Sequence, residues 1–272
     1  MTKQCFYRML IIAGLTYLEV SCTEIIPLDL NSASPALVVD GEITNQAGPY
    51  TIRLSQSVNF SDSNIFPPLP GATVTISDNE GNSETLSETT AGQYSTAGLK
   101  GTPGKTYKLS IVSGSNTYES ISKMYPSVPL DRVEADTTND HPGDRSRGYQ
   151  VNVQATFTDV VGEENYYRLV PYINGEPRYT NITVISDYLQ DGSVITTEVA
   201  RGETIKKGDR INIVLQSIDK DVFKFFNTLK ETTRTKTGIT AAVPGNPVSN
   251  ITNNALGFFS AHAISSKEVI AP

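Results

Sequence analysis

Val151-Asn152-Val153-Gln154-Ala155-Thr156-Phe157-Thr158 alternates apolar and polar side chains without a break, and this alternation decides the fold class. Successive side chains of a strand point to opposite faces, so Val151, Val153, Ala155 and Phe157 make one dry face. An antiparallel sheet covered on one side produces that pattern. Outward from it, Tyr166 to Ile173 leads into Asn174-Gly175. Both of these residues tolerate the positive φ of a type I′ turn and so predict a hairpin. Further strands are expected at Ile182 to Ile185, at Val194 to Val199 beyond Asp191-Gly192, at Arg210 to Gln216, and at Leu256 to Ala263.

The same period runs upstream. Tyr50, Ile52 and Leu54 interleave with Thr51, Arg53 and Ser55, and Ala72, Val74 and Ile76 with Thr73, Thr75 and Ser77. Turn signals at Asp78 to Gly81 and Ser113 to Asn116 flank strand residues such as Tyr107, Leu109, Ile111 and Tyr118. A mainly β fold follows, with a sandwich module over Pro35 to Tyr125. Tyr125-Pro126-Ser127-Val128-Pro129 separates it from a second β-rich unit, sandwich or barrel-like, over 126–272. One amphipathic helix interrupts that unit near 219–231. Ser217 or Asp219 can cap it, and Val222, Phe225, Phe226 and Leu229 recur on one face. Asp136 to Gly148 and Arg234 to Asn254 read as loops.

The first 21 residues read as a bacterial lipoprotein signal, with Lys3 and Arg8 at the start, an apolar run from Met9 to Leu18, and Ser21 before Cys22. The run falls short of the roughly 20 residues that cross a bilayer. Cys22 is therefore the expected lipidation site, and residues 22–34 a tether. Cleavage near Ser21 with an incidental cysteine is the alternative. The full chain carries a net charge of −7, and loss of Lys3, Arg8 and Glu19 makes the remainder more acidic still. Nucleic acid is thus not an expected partner, since it demands a basic field.

Catalytic raw material is sparse. The chain has two histidines and lacks G-x-S-x-G, H-E-x-x-H and a glycine-rich phosphate loop, so no catalytic residue, metal site or cofactor is expected. His141 lies in a polar loop beside Asp140 and Asp144, with spacing unlike a calcium loop. His262 reads as a strand histidine on the face of Phe258 and Ile264. Glu163 and Glu164 read as turn residues, and Asp159 as a carboxylate that orients a turn. The candidate partner-binding loop is Val58 to Pro70, where Phe60, Ile65, Phe66 and Leu69 sit among three prolines. Folding back as a lid over the sandwich end is the other reading of these side chains.

Gly71-Ala72-Thr73-Val74-Thr75-Ile76, Gly92-Gln93-Tyr94 and Gly104-Lys105-Thr106-Tyr107-Lys108-Leu109 resemble a prealbumin-like or carboxypeptidase-regulatory sandwich, a type that implies a scaffold or adaptor. More broadly, several features together resemble a family of Bacteroidota outer-membrane lipoproteins, domain of unknown function 4249. They are Cys22, Leu37-Val38-Val39-Asp40-Gly41, the Gly71-Ala72 strand start, Asn165-Tyr166-Tyr167-Arg168, the helix after Val214-Leu215-Gln216-Ser217, and Leu256-Gly257-Phe258-Phe259-Ser260. With the sparse catalytic residues, the lipid anchor, the adaptor-like first module and the Val58 to Pro70 loop, a lipid-anchored accessory or binding protein without catalytic activity is expected, on either face of the outer membrane. The resemblance itself implies an outer-membrane lipoprotein with no assigned activity. It also implies a TonB-dependent β-barrel transporter as the partner. A cell-envelope hydrolase whose carboxylates assemble only in the fold is the alternative.

Overall fold

The computed structural model describes residues 34–59, 65–138, 150–179, 181–201, 205–233 and 245–272. The first half holds β1 (Leu37–Thr44), β2 (Thr51–Gln56), β3 (Thr73–Asp78), β4 (Ser83–Thr85), β5 (Ser87–Thr90), β6 (Gln93–Ser95), β7 (Thr106–Ser113) and β8 (Asn116–Lys123). The second holds β9 (Leu130–Thr138), β10 (Gln150–Thr158), β11 (Tyr166–Ile173), β12 (Glu176–Pro177), β13 (Thr183–Ser186), β14 (Val194–Arg201) and β15 (Arg210–Ile218). Helix α1 (Lys220–Thr233) and strand β16 (Leu256–Ile270) follow. Among the described residues the fold is mainly β with one helix, as the strand alternation and the apolar spacing of Val222, Phe225 and Phe226 predict.

Nine strands build a central sheet in the order β12-β11-β15-β16-β1-β2-β6-β5, with β13 also paired to β11. Two smaller sheets, β4-β3-β7-β8 and β14-β10-β9, complete the layers. Among the described residues no sheet closes on itself, so of the two forms open to the second half the sandwich occurs. One face of the central sheet packs on both small sheets through two separate cores. Val39, Ile43, Ile52 and Leu54 meet Val74, Ile76, Leu109 and Ile111 in the first. Tyr167, Leu169, Ile211, Ile213 and Leu215 meet Val151, Val153, Ala155 and Phe157 in the second.

The 125/126 break that the prolines suggest is bridged by the central sheet. β16 is the bridge: its first half pairs in parallel with β1, from Val38 beside Leu256 to Thr44 beside His262, and its second half pairs antiparallel with β15. The strand runs past Ala263 to Ile270 because β15 supplies partners to the very end, Arg210 opposite Ile270. Alternation hides this, since Ser265, Ser266, Lys267 and Glu268 are polar on both faces. At the parallel seam the backbones touch. Gly257 has φ +88°, and a Cβ there would stand 1.8 Å from the Val39 carbonyl oxygen, so only glycine fits.

Helix α1 covers part of the other face of the central sheet, where Val222, Phe225 and Phe226 pack on Tyr166, Ile218 and Phe258. Asp219 is its cap: the carboxylate accepts from Asp221 N at 3.0 Å and Val222 N at 2.9 Å. Ser217 lies in β15 and does not serve. The Asn174-Gly175 hairpin turn has φ values of +52° and +88°, as a type I′ turn needs.

Candidate functional site

Strand register brings two loops side by side. β10 ends with Thr158 opposite Val194, where β14 begins, and β11 begins with Tyr166 opposite Ser186, where β13 ends. The loop 159–165 between β10 and β11 must therefore run next to the loop 187–193 between β13 and β14. Main-chain bonds join their ends, Asp159 N to Ser193 O at 3.0 Å and Asp187 N to Asn165 O at 3.2 Å.

Polar side chains staple the loops, Asp159 and Asp187 from inside and Asp191 at the surface. Asp159, itself buried, accepts from the Tyr167 hydroxyl at 2.5 Å and from Gly192 N at 2.8 Å. Asp187, also buried, accepts from Asn165 N at 2.9 Å, and Asp191 accepts from Gly162 N at 2.8 Å. Asn165 Nδ2 donates to the carbonyls of Val160 at 3.1 Å and Glu163 at 2.7 Å. Burial, and then Asp159, push the Tyr167 phenol above its ordinary pKa, which keeps it a neutral donor. Carboxylate oxygens of Asp159, Asp187 and Asp191 come within 4.8 Å of one another, a spacing that could serve a cation. Their bonds to the phenol and the backbone account for the cluster as a loop fastener.

With Asp159 and Asp187 turned inward, bulky apolar side chains point out. Leu189 is 87% exposed, Tyr188 79% and Val161 75%, with Val160 half exposed beside them. Val161 leans on Gly192, where a Cβ would meet its Cγ2 at 2.5 Å. Bulky apolar side chains held in water on a fastened frame are an expected signature of a docking surface. Tyr188 also walls a cleft of about 260 Å³ against α1, lined further by Tyr166, Phe223, Lys220 and Lys224. Lys220 pairs with Glu164 at 3.1 Å, and Tyr166 together with Lys220 hold the Glu164 carboxyl below its usual range.

A second apolar tip stands on the segment after β2. Gln56 N donates to Pro67 O at 2.8 Å, Leu69 N donates to Leu54 O at 2.9 Å, and Pro68 bridges to Ser55. Ile65 is 73% exposed and Phe66 54%, whereas Leu69 turns in and packs on the first core.

On the outer face of the central sheet, Arg168 pairs with Glu42 at 3.1 Å, reaches Gln216 at 3.2 Å and stacks over Phe226 at 3.7 Å. His262 lies buried in the same face, with Nδ1 2.8 Å from Ser260 Oγ. Burial holds its pKa down to about 4, with Arg168 acting in the same sense and Glu42 against it.

A family model described as a domain of unknown function, DUF4249, matches residues 23–268. The chain belongs to this family. No curated protein matches it. The DUF4249 match takes in the helix and every described strand but the last two residues of β16, so both loop systems lie within the family domain.

The DUF4249 chain divides the residues that the sequence singles out. Ile65 and Phe66 are exposed, whereas Leu69 folds back onto the first core. Cys22, Phe60 and the His141 cluster lie outside the described residues. Asp159 orients turns, as expected of it, but the loop it fastens lies across the sheet at Gly192 as well as along its own chain. Val160, Val161, Tyr188 and Leu189 go unnoticed in the sequence. Their one local signal is bulky apolar residues inside turn-forming runs, Val160-Val161-Gly162 and Asp187 to Gly192.

Proposed function

We propose that this protein is a lipid-anchored outer-membrane accessory protein of the Bacteroidota type. It works by binding rather than catalysis, beside a TonB-dependent β-barrel transporter. Supporting the anchor are Lys3, Arg8, the Met9 to Leu18 run and Ser21 ahead of Cys22. Among the described residues no helix is long and apolar enough to cross a membrane. The observation that carries the binding role is the stapled loop pair, with Val160, Val161, Tyr188 and Leu189 held in water. A surface of this kind gains by being covered, since each bulky apolar side chain is worth roughly 1.5–3 kcal/mol when fully buried.

Purification from membranes in mild detergent tests the reading. The wild-type chain should co-migrate with a β-barrel protein, and Tyr188→Ser with Leu189→Ser should release it while the chain stays folded. A wild-type chain that runs alone would defeat the partner assignment. Mass spectrometry of the N-terminus checks the anchor, and an unmodified Cys22 would defeat that. The convergence of Asp159, Asp187 and Asp191 favours one rival, the envelope hydrolase. Turnover of a substrate, lost in Asp187→Asn with the fold retained, would move the assignment there.

A further inference from the structure

The outer face of the central sheet carries a row of polar side chains beyond the part that α1 covers. Tyr172 lies opposite Asn212, and Asn212 opposite Glu268, so a phenol, a carboxamide and a carboxylate stand side by side on β11, β15 and β16 at the strand spacing of about 5 Å. Arg210 follows on the same face of β15 and donates to Glu268 from Nε at 3.2 Å and from Nη2 at 3.0 Å. With Asn174 and Gly175 these residues line a cleft of about 540 Å³. Tyr172 is six residues along β11 from Tyr166, about 20 Å, so the row is separate from the stapled loops.

We propose that this row is a binding site for a neutral saccharide. Asparagine is a poor strand residue. Asn212 nevertheless sits within β15, and its carboxamide forms no hydrogen bond with any described residue. The Tyr172 hydroxyl is likewise unbonded among the described residues. Burial pushes its pKa up, which keeps the phenol neutral and able both to donate and to accept. Two polar groups in one row are thus left for something outside the chain.

The chemistry of the lining selects the ligand. Arg210 and Glu268 offset each other's charge, so the cleft offers no free cation to a phosphate or carboxylate. The Tyr172 ring is its one apolar side chain, which is too little for an aliphatic chain. Carboxamide, phenol and the guanidinium–carboxylate pair set donors and acceptors side by side, and each hydroxyl of a sugar is a donor and an acceptor at once. The electron-rich face of Tyr172 suits the C–H face of a sugar ring. The rim is also fixed in advance: Asn174 Nδ2 donates to Asp209 at 3.0 Å and Asn174 Oδ1 accepts from Arg210 N at 3.0 Å, holding the hairpin turn against β15. A site fixed before binding loses less freedom when it takes its ligand.

Affinity electrophoresis of the full-length chain, extracted from membranes in mild detergent, tests the site. Native gels hold dextran, mannan, laminarin or galactan, with polygalacturonate as the charged control. Gln93→Ala, at an exposed position on β6, is the reference. At least one neutral polymer should retard the wild type and Gln93→Ala equally. Asn212→Ala should weaken that retardation about tenfold, and Tyr172→Phe, which keeps the ring, about fivefold, as the loss of one or two hydrogen bonds predicts. Unchanged melting temperatures show that the variants are folded, and where Asn212→Ala fails to fold Tyr172→Phe decides alone. Wild-type chain that runs unretarded in every neutral polymer overturns the proposal. Retardation that the substitutions leave unweakened does so too, since it arises elsewhere on the chain. Stronger retardation by polygalacturonate than by any neutral polymer overturns it in favour of an anionic ligand.

Discussion

Ile65 and Phe66 stand on a segment tied to β2 by main-chain bonds, whereas Val160, Val161, Tyr188 and Leu189 stand on two loops tied together by the carboxylates of Asp159, Asp187 and Asp191. The first tip is local: one run of chain, stiffened by its own prolines, lies along its neighbour. The second is assembled from positions nearly thirty residues apart and depends on buried side chains for its shape. A tip of the first kind should tolerate substitution, while one of the second kind couples its surface to the core.

That difference is breakable by mutation. Asp159→Ala removes two accepted bonds and leaves the buried Tyr167 hydroxyl without its partner, so it should cost about 2–4 kcal/mol in denaturant unfolding. Partner retention should fall with it, even though no exposed residue has changed. Calcium at millimolar concentration should not restore the variant or raise the melting temperature of the wild type, if the carboxylates act as fasteners and not as ligands. A calcium-dependent rise in melting temperature would show the opposite.

Acid probes the frame behind both tips. His262 is held neutral by burial, with its pKa near 4 in the fold against an ordinary value of 6.5. The unfolded chain therefore takes up a proton first, and the contribution of His262 is complete above pH 6.5 and lost as pH falls toward 4. The loss is at most about 3 kcal/mol by linkage. Burial pushes the Asp219 carboxyl the other way, so the measurement is the difference between wild type and His262→Gln across pH 7 to 4.5. The variant should show the flatter profile. Identical profiles would mean that His262 is not buried neutral.

Smaller effects should separate the tips further. Tyr167→Phe removes one donor to Asp159 while keeping the ring packed on Phe157, and should cost about 1–2 kcal/mol. Ile65→Ser and Phe66→Ser should stay within about 0.5 kcal/mol of wild type, as exposed positions do. A cost above 2 kcal/mol there would show that the tip is packed, not presented.

Much of this fold is legible in the sequence because its strands alternate with one dry face. Val151 to Phe157, Tyr50 to Leu54 and the Asn174-Gly175 turn each declare themselves within a few residues. The helix does so through Val222, Phe225 and Phe226. The parallel seam of β1 and β16 is not legible, since it joins Val38 to Leu256 and no local pattern encodes so distant a pairing. The prolines near 126 are real punctuation between two cores, yet a shared sheet runs past them. For the candidate sites the same rule applies. Ile65 and Phe66 are visible because the loop is one stretch, and Tyr188 with Val161 is invisible until β10, β11, β13 and β14 are in register.

The most direct measurement is site-specific photocrosslinking in intact cells, with a photoreactive residue at position 189. Position 189 should give a discrete adduct to a membrane β-barrel protein. Lipid adducts alone at position 189, or no adduct at all, would contradict the assignment of the stapled loops as the partner-binding surface.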